Sequence, residues 1–359
     1  MPPFPKGRPR LLVLCRHALG DIVLARPIFE SLRAWRPDAW IMAAAYPDQV
    51  PWLVLHPEID QTLQIPRHSN SGRKSEGWLS LIREMRRAPI ELAHDMTQTE
   101  RSSMVVLTSG ARQRVGFAQA DVKLRHKVYT DLMVWTEEGI AANHSRELYL
   151  EPLAAAGVPV ATRDVVVDLT PAEREAAGAR LRALLPAASG PVVIVHPGAS
   201  TANKCWPPER FAAVCDELQA SGAAQVLMLC GPRERDRVDA VRGRMRTEVA
   251  VLQDALAIRE LAALLQQADV FLGNDTGPMH LAAAVGTRVV ALFGGASPVQ
   301  WGPLGEGHAV LRVEQPCPCP YGQLCQPPNP YHMHCVRLLR QEDVMAAVLS
   351  RIADLAAVR

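Results

Sequence analysis

The sequence predicts an α/β protein of two doubly wound domains facing each other across a cleft, and three observations carry that expectation. Short apolar runs, LLVLC at 11–15 and VVIVH at 192–196, each lead into a turn and then a helical pattern, as strands buried on both faces of a parallel sheet do. Strand and helix signals alternate in both halves at intervals of roughly 25–35 residues, the spacing of βαβ units. A chain of 359 residues with 48% hydrophobic content is too long for one ordinary core and apolar enough for two.

The other elements are organised around residues 269–294, DVFLGNDTGPMHLAAAVGTRVVALFG. Val270, Phe271 and Leu272 end an apolar strand, Gly273 to Gly277 form a turn, 278–285 a short helix stopped at Gly286, and 288–293 the next strand. This is one βαβ unit. Asp275 and Thr276 can cap the helix, and Pro278 sits where a missing N–H costs nothing. The N–H groups of Thr276 and Gly277 then point out of the helix start, which suits a phosphate or diphosphate. A plain N-cap fits the same residues, so the choice rests on the other turns.

In chain order, strand 11–15 enters the turn Arg16-His17-Ala18-Leu19-Gly20-Asp21, which opens a helix over 22–35 ended by Pro37 and Asp38, and 40–45 resumes as strand. A glycine and a carboxylate thus stand at the carboxyl end of the first strand, the edge where open α/β sheets bind ligands. Asp21 reads either as a helix cap facing water or as a functional carboxylate facing the cleft. Residues 67–77, RHSNSGRKSEG, read as a mobile basic loop. The helix after it, 78–87, ends in Arg83, Arg86 and Arg87, cations that suit a helix C-terminus and would also attract an anionic substrate. Strand 90–95 runs into Thr97 to Ser102, helix 103–109 follows, and further basic residues fall at 112–117 and 123–127. A helix from Asn143 to about residue 156 stops at Gly157, and the variable stretch 159–190, with a short strand at 165–167 and an alanine-rich helix capped at Thr170, holds the domain boundary. Domains of 1–170 and 188–335 follow, with a final helix over 341–357. The second domain restarts at 192–196. It continues through the small-residue turn 197–204 with its single lysine, Lys204, a helix to about 220, strand 225–230, a charged helix to about 245, strand 249–252 and helix 258–267.

A formal charge of +2, from 39 Lys and Arg against 37 Asp and Glu, is too mild to make nucleic acid the main partner. No apolar run approaches the ~18 residues of a membrane span, and the first apolar segment enters a turn directly, so it reads as a core strand of a cytosolic protein. Cys15, Cys205, Cys215 and Cys230 read as reduced packing residues. Cys317, Cys319, Cys325 and Cys335, with His332 and His334 near them, form a cluster. Its thiolates could hold a structural zinc or iron, or serve as reduced or disulfide-paired structural cysteines; C-x-C with wide gaps is not a zinc-ribbon spacing.

Three turns, LGD at 19–21, HPGASTANKCWPPERF at 196–211 and GNDTGPMHLAAAVGTRVVALFG at 273–294, in this order and at these separations, resemble the family-9 glycosyltransferases, the heptosyltransferases of bacterial lipopolysaccharide synthesis. The similarity extends to Asp95 through Ser102, RVGF at 114–117, His144 with Glu147, and the Cys/His segment, and covers essentially the whole chain. It implies a GT-B fold of two Rossmann-like domains, acceptor domain first and nucleotide-sugar domain second, with the last helix crossing back to the first domain.

The resemblance also implies roles. Asp21 matches the general base, Lys204 the lysine on the donor phosphates, and Asp275, Thr276 and Gly277 the diphosphate turn. Ser200 and Thr201 would add phosphate or sugar contacts, and Glu234 and His280 would lie around the ribose and the phosphate turn. His17, Asp95, Arg101 and His144 would serve the acceptor. Such a site draws its charge from protein groups, so no cofactor is required for catalysis. The implied partners are an ADP-sugar donor and a lipid-linked core oligosaccharide, with peripheral contact at the inner face of the inner membrane through residues 67–74 and Arg83, Arg86 and Arg87. A protein heptosyltransferase acting on autotransporters and a nucleotide-sugar 2-epimerase are the alternatives. His17 and Ala18 stand where the family usually has small hydroxyl residues, and Arg26 where a threonine or other small residue is common, so the acceptor is expected to differ from that of the best-known inner-core enzymes.

Overall fold

The computed structural model describes residues 7–15, 18–67, 74–97, 99–119, 127–186, 190–201, 204–314 and 335–356. The chain divides into two compact units, Met1–Val165 and Val166–Arg359.

The first unit contains strands β1 (Arg10–Leu14), β2 (Trp40–Ala45), β3 (Gln61–Gln64), β4 (Leu92–Asp95), β5 (Gln113–Gln119) and β6 (Asp131–Trp135). Its helices are α1 (Leu19–Leu24), α2 (Arg26–Trp35), α3 (Lys74–Met85), α4 (Glu100–Ser109), α5 (Glu137–Ala142) and α6 (Ser145–Ala155). The strands are all parallel, in the order β3-β2-β1-β4-β5-β6. The chain winds outward from β1 to β3, then returns to lay β4 against the other side of β1, pairing Leu11 with Leu92 and Leu14 with Asp95. Strand order therefore reverses between β1 and β4, which leaves a crevice beyond their carboxyl ends.

The second unit opens with α7 (Pro171–Leu184) and continues through β7 (Val192–His196), α8 (Pro208–Ala220), β8 (Gln225–Leu229), α9 (Arg235–Arg242), β9 (Ala250–Leu252), α10 (Ile258–Gln266), β10 (Val270–Asn274), α11 (Gly277–Ala284), β11 (Arg288–Phe293), α12 (Pro298–Trp301), β12 (Ala309–Arg312) and α13 (Gln341–Ala356). Its parallel sheet runs β12-β11-β10-β7-β8-β9, the same winding as the first, with the reversal between β7 and β10. Val193, Val195, Val270 and Leu272 from the sheet, Phe211 and Leu218 from α8, and Val344 and Val348 from α13 close one core. The last helix therefore packs within the second unit, against α8 and the strands β10 to β12. Helix α7 packs on α10 and belongs to this unit as well.

Several elements differ from their sequence expectation for identifiable reasons. The single helix expected over 22–35 is two, broken at Ala25, because Pro27 has no N–H to give the carbonyl four residues back; Ala25 and Ile28 instead make short-range bonds to Ile22 O and Ala25 O at 3.2 and 3.0 Å. Residues 165–167 join no ladder, and the Val167 N–H donates to Ala284 O at 2.8 Å. Arg26 is buried and forms ion pairs with Glu30 at 2.7 Å and Glu58 at 2.9 Å. Its departure from the family pattern thus has a structural use inside the first unit.

Among the described residues of the first unit, two histidines are buried. His56 Nε2 lies 2.9 Å from Ile22 O and His94 Nε2 lies 2.9 Å from Tyr149 O. Burial, helped by the nearby Arg26 charge, pushes His56 down to about 3. Burial pushes His94 down to about 4 against the opposing pull of Asp95 and the Tyr149 carbonyl. Both rings are therefore neutral in the folded state, whereas in the unfolded chain they protonate near their ordinary value of ~6.5. The stability this contributes is fully present above ~6.5 and is lost as pH falls towards the two folded values, at up to about 1.4 kcal/mol per pH unit for each ring. The urea midpoint is expected to drop between pH 7 and pH 5, and less steeply in His56→Gln, whose amide still donates to Ile22 O. A midpoint that stays flat over this range in the wild type would contradict the assignment.

Candidate functional site

In the second unit, the strand reversal puts the loop after β7 beside the loop after β10, and Asn274 ties the two together. This last residue of β10 is fully buried. Its Nδ2 donates to Pro197 O at 3.0 Å and Gly198 O at 3.1 Å, and its Oδ1 accepts from Trp206 N–H at 3.0 Å. Both ends of the loop that carries Ser200, Thr201 and Lys204 are thereby pinned to one side chain. Trp206 anchors the far end: its ring packs edge-on to Phe211 at 4.9 Å and its Nε1 donates to Leu339 O at 3.0 Å.

Lys204 reaches from this loop to the start of α11, where its Nζ lies 2.6 Å from Asp275 Oδ2. Asp275 therefore does not cap the helix as expected; the ammonium takes its carboxylate. Thr276 is the N-cap by backbone position but makes no side-chain cap bond. Its hydroxyl lies 3.2 Å from Asn274 O and 3.5 Å from His196 Nδ1. The first intrahelical bonds run from Met279 and His280 N–H to Thr276 O, so the N–H groups of Thr276 and Gly277 precede them. With Pro278 supplying none, the helix start presents donors and a partial positive charge. A half-exposed lysine, itself carrying three donors, and a helix N-terminus are the ingredients of an anion site.

Glu234, just before α9, is linked to the same edge through His196, the last residue of β7. His196 Nε2 lies 2.8 Å from Glu234 Oε2, which also accepts from Gly231 N–H at 3.1 Å. Burial pushes the Glu234 carboxyl up, but the bond to His196, its charge, and the Gly231 N–H more than offset this and hold it below the usual carboxylate range. A Cβ at Gly198 or at Gly231 would overlap this carboxylate, so a side chain at either turn would displace Glu234 from His196. Ser200 is exposed and Thr201 half-buried. The Thr201 carbonyl accepts from Lys204 N–H at 3.1 Å. His280 is buried on α11, its ring 6.4 Å from that of Trp301.

The first unit has its own carboxylates at its strand reversal. Asp21 lies in the first turn of α1, 5% exposed. Its Oδ1 accepts from the Tyr149 hydroxyl at 2.5 Å and its Oδ2 from Ala18 N–H at 3.3 Å. Asp21 is thus a buried carboxylate held by a phenol, and not a cap facing water. Asp95, at the end of β4, uses both oxygens inside the unit: Oδ1 takes Thr97 N–H at 2.7 Å and Thr97 Oγ1 at 2.8 Å, and Oδ2 takes the Tyr129 hydroxyl at 2.6 Å. Arg101 Nη1 donates to Tyr46 OH at 3.1 Å. His144 caps α6, its Nδ1 accepting from Arg146 N–H at 3.1 Å, and Glu147 pairs with Arg146 and Arg163.

The structure therefore gathers Lys204, Asp275, Thr276 and Gly277 at one point and links Glu234 to them through His196, while it gives Asp95 and His144 internal partners. His17, Cys317, Cys319 and Cys325 lie outside the described residues. Cys335 is half-buried at the start of a 3-10 turn, and among the described residues no group of three His, Cys, Asp or Glu could hold a metal ion. Sequence reasoning gave no role to Asn274, His196 or Tyr149. A polar residue closing an otherwise apolar strand was the available signal for the first two; Tyr149 meets Asp21 across 128 positions and left none.

Two sheets of the same winding, one with a lysine and a helix start at its reversal and the other with a buried carboxylate at its own, fit the GT-B class of glycosyltransferases. The family model of glycosyltransferase family 9 (heptosyltransferase) matches residues 78–326, and the chain belongs to that family. It is 31% identical over 298 residues to lipopolysaccharide heptosyltransferase 3 of Escherichia coli K12, spanning 80% of this chain and 83% of that protein. The solved family-9 glycosyltransferase of Veillonella parvula superimposes with a TM-score of 0.79 at 21% identity, over 96% of this chain and 97% of that one. The ADP-heptose lipopolysaccharide heptosyltransferase II of E. coli does so with a TM-score of 0.75 at 20% identity, over 97% and 99%.

Asn274→Ala removes three bonds and strands buried backbone groups, each costing roughly 1–3 kcal/mol. Its unfolding free energy, read from urea titration, should fall by at least one such increment, with a lower midpoint. A midpoint equal to wild type would mean that the loop does not depend on this side chain.

Proposed function

We propose that this chain is an inverting heptosyltransferase that moves a heptose from ADP-heptose to a lipid-linked lipopolysaccharide core acceptor. The observation that carries the reading is the meeting of Lys204 with the start of α11 at the strand reversal of the second unit. The family description, the name of the E. coli relative and the donor named for the E. coli heptosyltransferase II structure support the sugar, the acceptor class and the nucleotide.

Inverting transfer is one displacement. The acceptor oxygen forms a bond to the anomeric carbon as the bond from that carbon to the diphosphate oxygen breaks, ADP leaves, and the acceptor hydroxyl gives up its proton. The proton goes to Asp21, whose buried carboxylate suits a general base. The charge growing on ADP is met by Lys204, which has donors beyond the one given to Asp275, and by the N–H groups of Thr276 and Gly277. In this reading Ser200, Thr201 and His280 line the phosphate turn, Glu234 serves the ribose, and no cofactor is called on. Arg101 is assigned to the acceptor.

Acceptor-dependent ADP release from ADP-heptose, with a deacylated heptose-deficient core as acceptor, is the expected activity. Asp21→Asn should lower kcat about 10²–10⁴-fold, and Lys204→Ala should lower kcat/KM for the donor by roughly 10²-fold. ADP release without acceptor, or Asp21→Asn within about tenfold of wild type, would sink the reading. Proton NMR of the product reports whether the anomeric configuration is inverted.

The proposal extends to peripheral contact with an anionic membrane surface, supported by the exposed Arg83, Arg86 and Arg87 at the end of α3 and the exposed Leu79 on the same helix. Wild type should sediment with phosphatidylglycerol vesicles and the Arg83→Glu, Arg86→Glu, Arg87→Glu triple variant should not. Equal sedimentation of the two would remove these residues from the contact.

A further inference from the structure

We propose that Tyr149 is the positioning residue of Asp21, its hydroxyl fixing the plane of the carboxylate that takes the acceptor proton. The inference rests on the reading of Asp21 as the base.

The geometry supports it because Tyr149 is fixed independently of Asp21. The residue is 1% exposed, and it sits on α6, which packs against α1, β5 and β6. Its backbone carbonyl accepts from His94 Nε2 at 2.9 Å, so β4 holds α6 at the very residue that carries the phenol. A carbonyl partner puts the proton of a neutral imidazole on Nε2 and leaves Nδ1 bare. His94 is buried, and burial pushes its pKa down to about 4. Its Nδ1 has no hydrogen-bond partner, as that tautomer requires if no N–H is to be stranded. Phe117 of β5 braces the ring itself, with centroids 6.1 Å apart and the planes tilted by 49°.

Three elements thus place the Tyr149 hydroxyl, and at 2.5 Å it meets Asp21 Oδ1. A phenol–carboxylate bond is charge-assisted and strong, and a tyrosine has only two side-chain torsions to fix. Asp21 lies in the first turn of the six-residue helix α1. A short carboxylate on so short a helix needs an external reference to hold its orientation within the 10–20° that a catalytic group tolerates. The phenol supplies that reference from the rigid side of the sheet. Tyr129 holds Asp95 in a similar way, at 2.6 Å, but there Thr97 takes the other carboxylate oxygen as well.

Tyr149→Phe removes the hydroxyl and keeps the ring against Phe117. Misplacing a reacting group by about 1 Å costs up to about 10²-fold, so kcat for acceptor-dependent ADP release should fall roughly 10–100-fold while KM for ADP-heptose and for the core acceptor stay within about twofold. The loss should disappear in the Asp21→Asn background, where no base is left to position. His94→Leu releases the Tyr149 carbonyl without touching the phenol and should give the same kcat-only loss, so the test survives if Tyr149→Phe does not fold. If Asp21→Asn abolishes turnover while Tyr149→Phe keeps wild-type kcat, or raises KM with kcat unchanged, the positioning role is overturned and the base stands. If Asp21→Asn itself retains turnover, the base assignment fails instead.

Discussion

A parallel sheet opens a crevice beyond its carboxyl edge where its strand order reverses, and each sheet of this chain reverses once. This constraint fixes where chemistry can be placed. At the carboxyl edge, loops after neighbouring strands that are far apart in sequence come within side-chain reach. Hence His196, opposite Gly273 in the register of β7 on β10, and Asn274 one residue further along can organise residues from three different turns. Everything at the candidate donor site depends on that adjacency: Asn274 needs the loop after β7 within hydrogen-bond distance, and Lys204 then needs Asn274 to keep its loop folded back toward α11.

Polar groups buried at these edges divide into those satisfied internally and those held ready. Asp95 and His144 belong to the first kind; their acceptor atoms are engaged by Thr97, Tyr129 and Arg146. Satisfying such atoms avoids a desolvation penalty of roughly 1–3 kcal/mol each, reason enough for their presence without any ligand. Lys204 and Asp275 are held differently. The pair is 33% and 7% exposed on its two side chains, so the ammonium keeps access to solvent while the carboxylate behind it is enclosed. An anion arriving there meets the lysine and the helix start first, and Asp275 steadies the lysine without facing solvent.

The fold was largely legible because strands of a parallel sheet are apolar throughout and their helices are bounded by proline and glycine. LLVLC, VVIVH and RVVALF could scarcely be anything else, and 26 residues around DTGP spelled out a complete βαβ unit. Legibility failed where the determinant was a long-range bond. The break at Ala25 depends on a missing donor at Pro27 that the hydrophobic spacing of residues 22–35 conceals. The partner of Asp95 was hidden in the same way: its own segment does not show that Tyr129, 34 positions away, donates to it. Short elements such as α5, β6 and β12 carry too few residues for periodicity to register.

The same distinction separates the two candidate sites. A diphosphate would be bound largely by backbone N–H groups and one lysine, and backbone geometry is written locally, in the glycines, the proline and the capping residues of a single turn. Recognition of a proton-donating acceptor needs a side chain at a defined angle, and that angle is set by partners distant in sequence: Tyr149 from α6, oriented in turn by His94 on β4 and Phe117 on β5. Residues that position a base in this way leave no motif, because any arrangement of the sheet that delivers a hydroxyl to the carboxylate would serve. A buried, well-anchored donor against a buried acid is therefore more informative at such an edge than the identity of the acid alone.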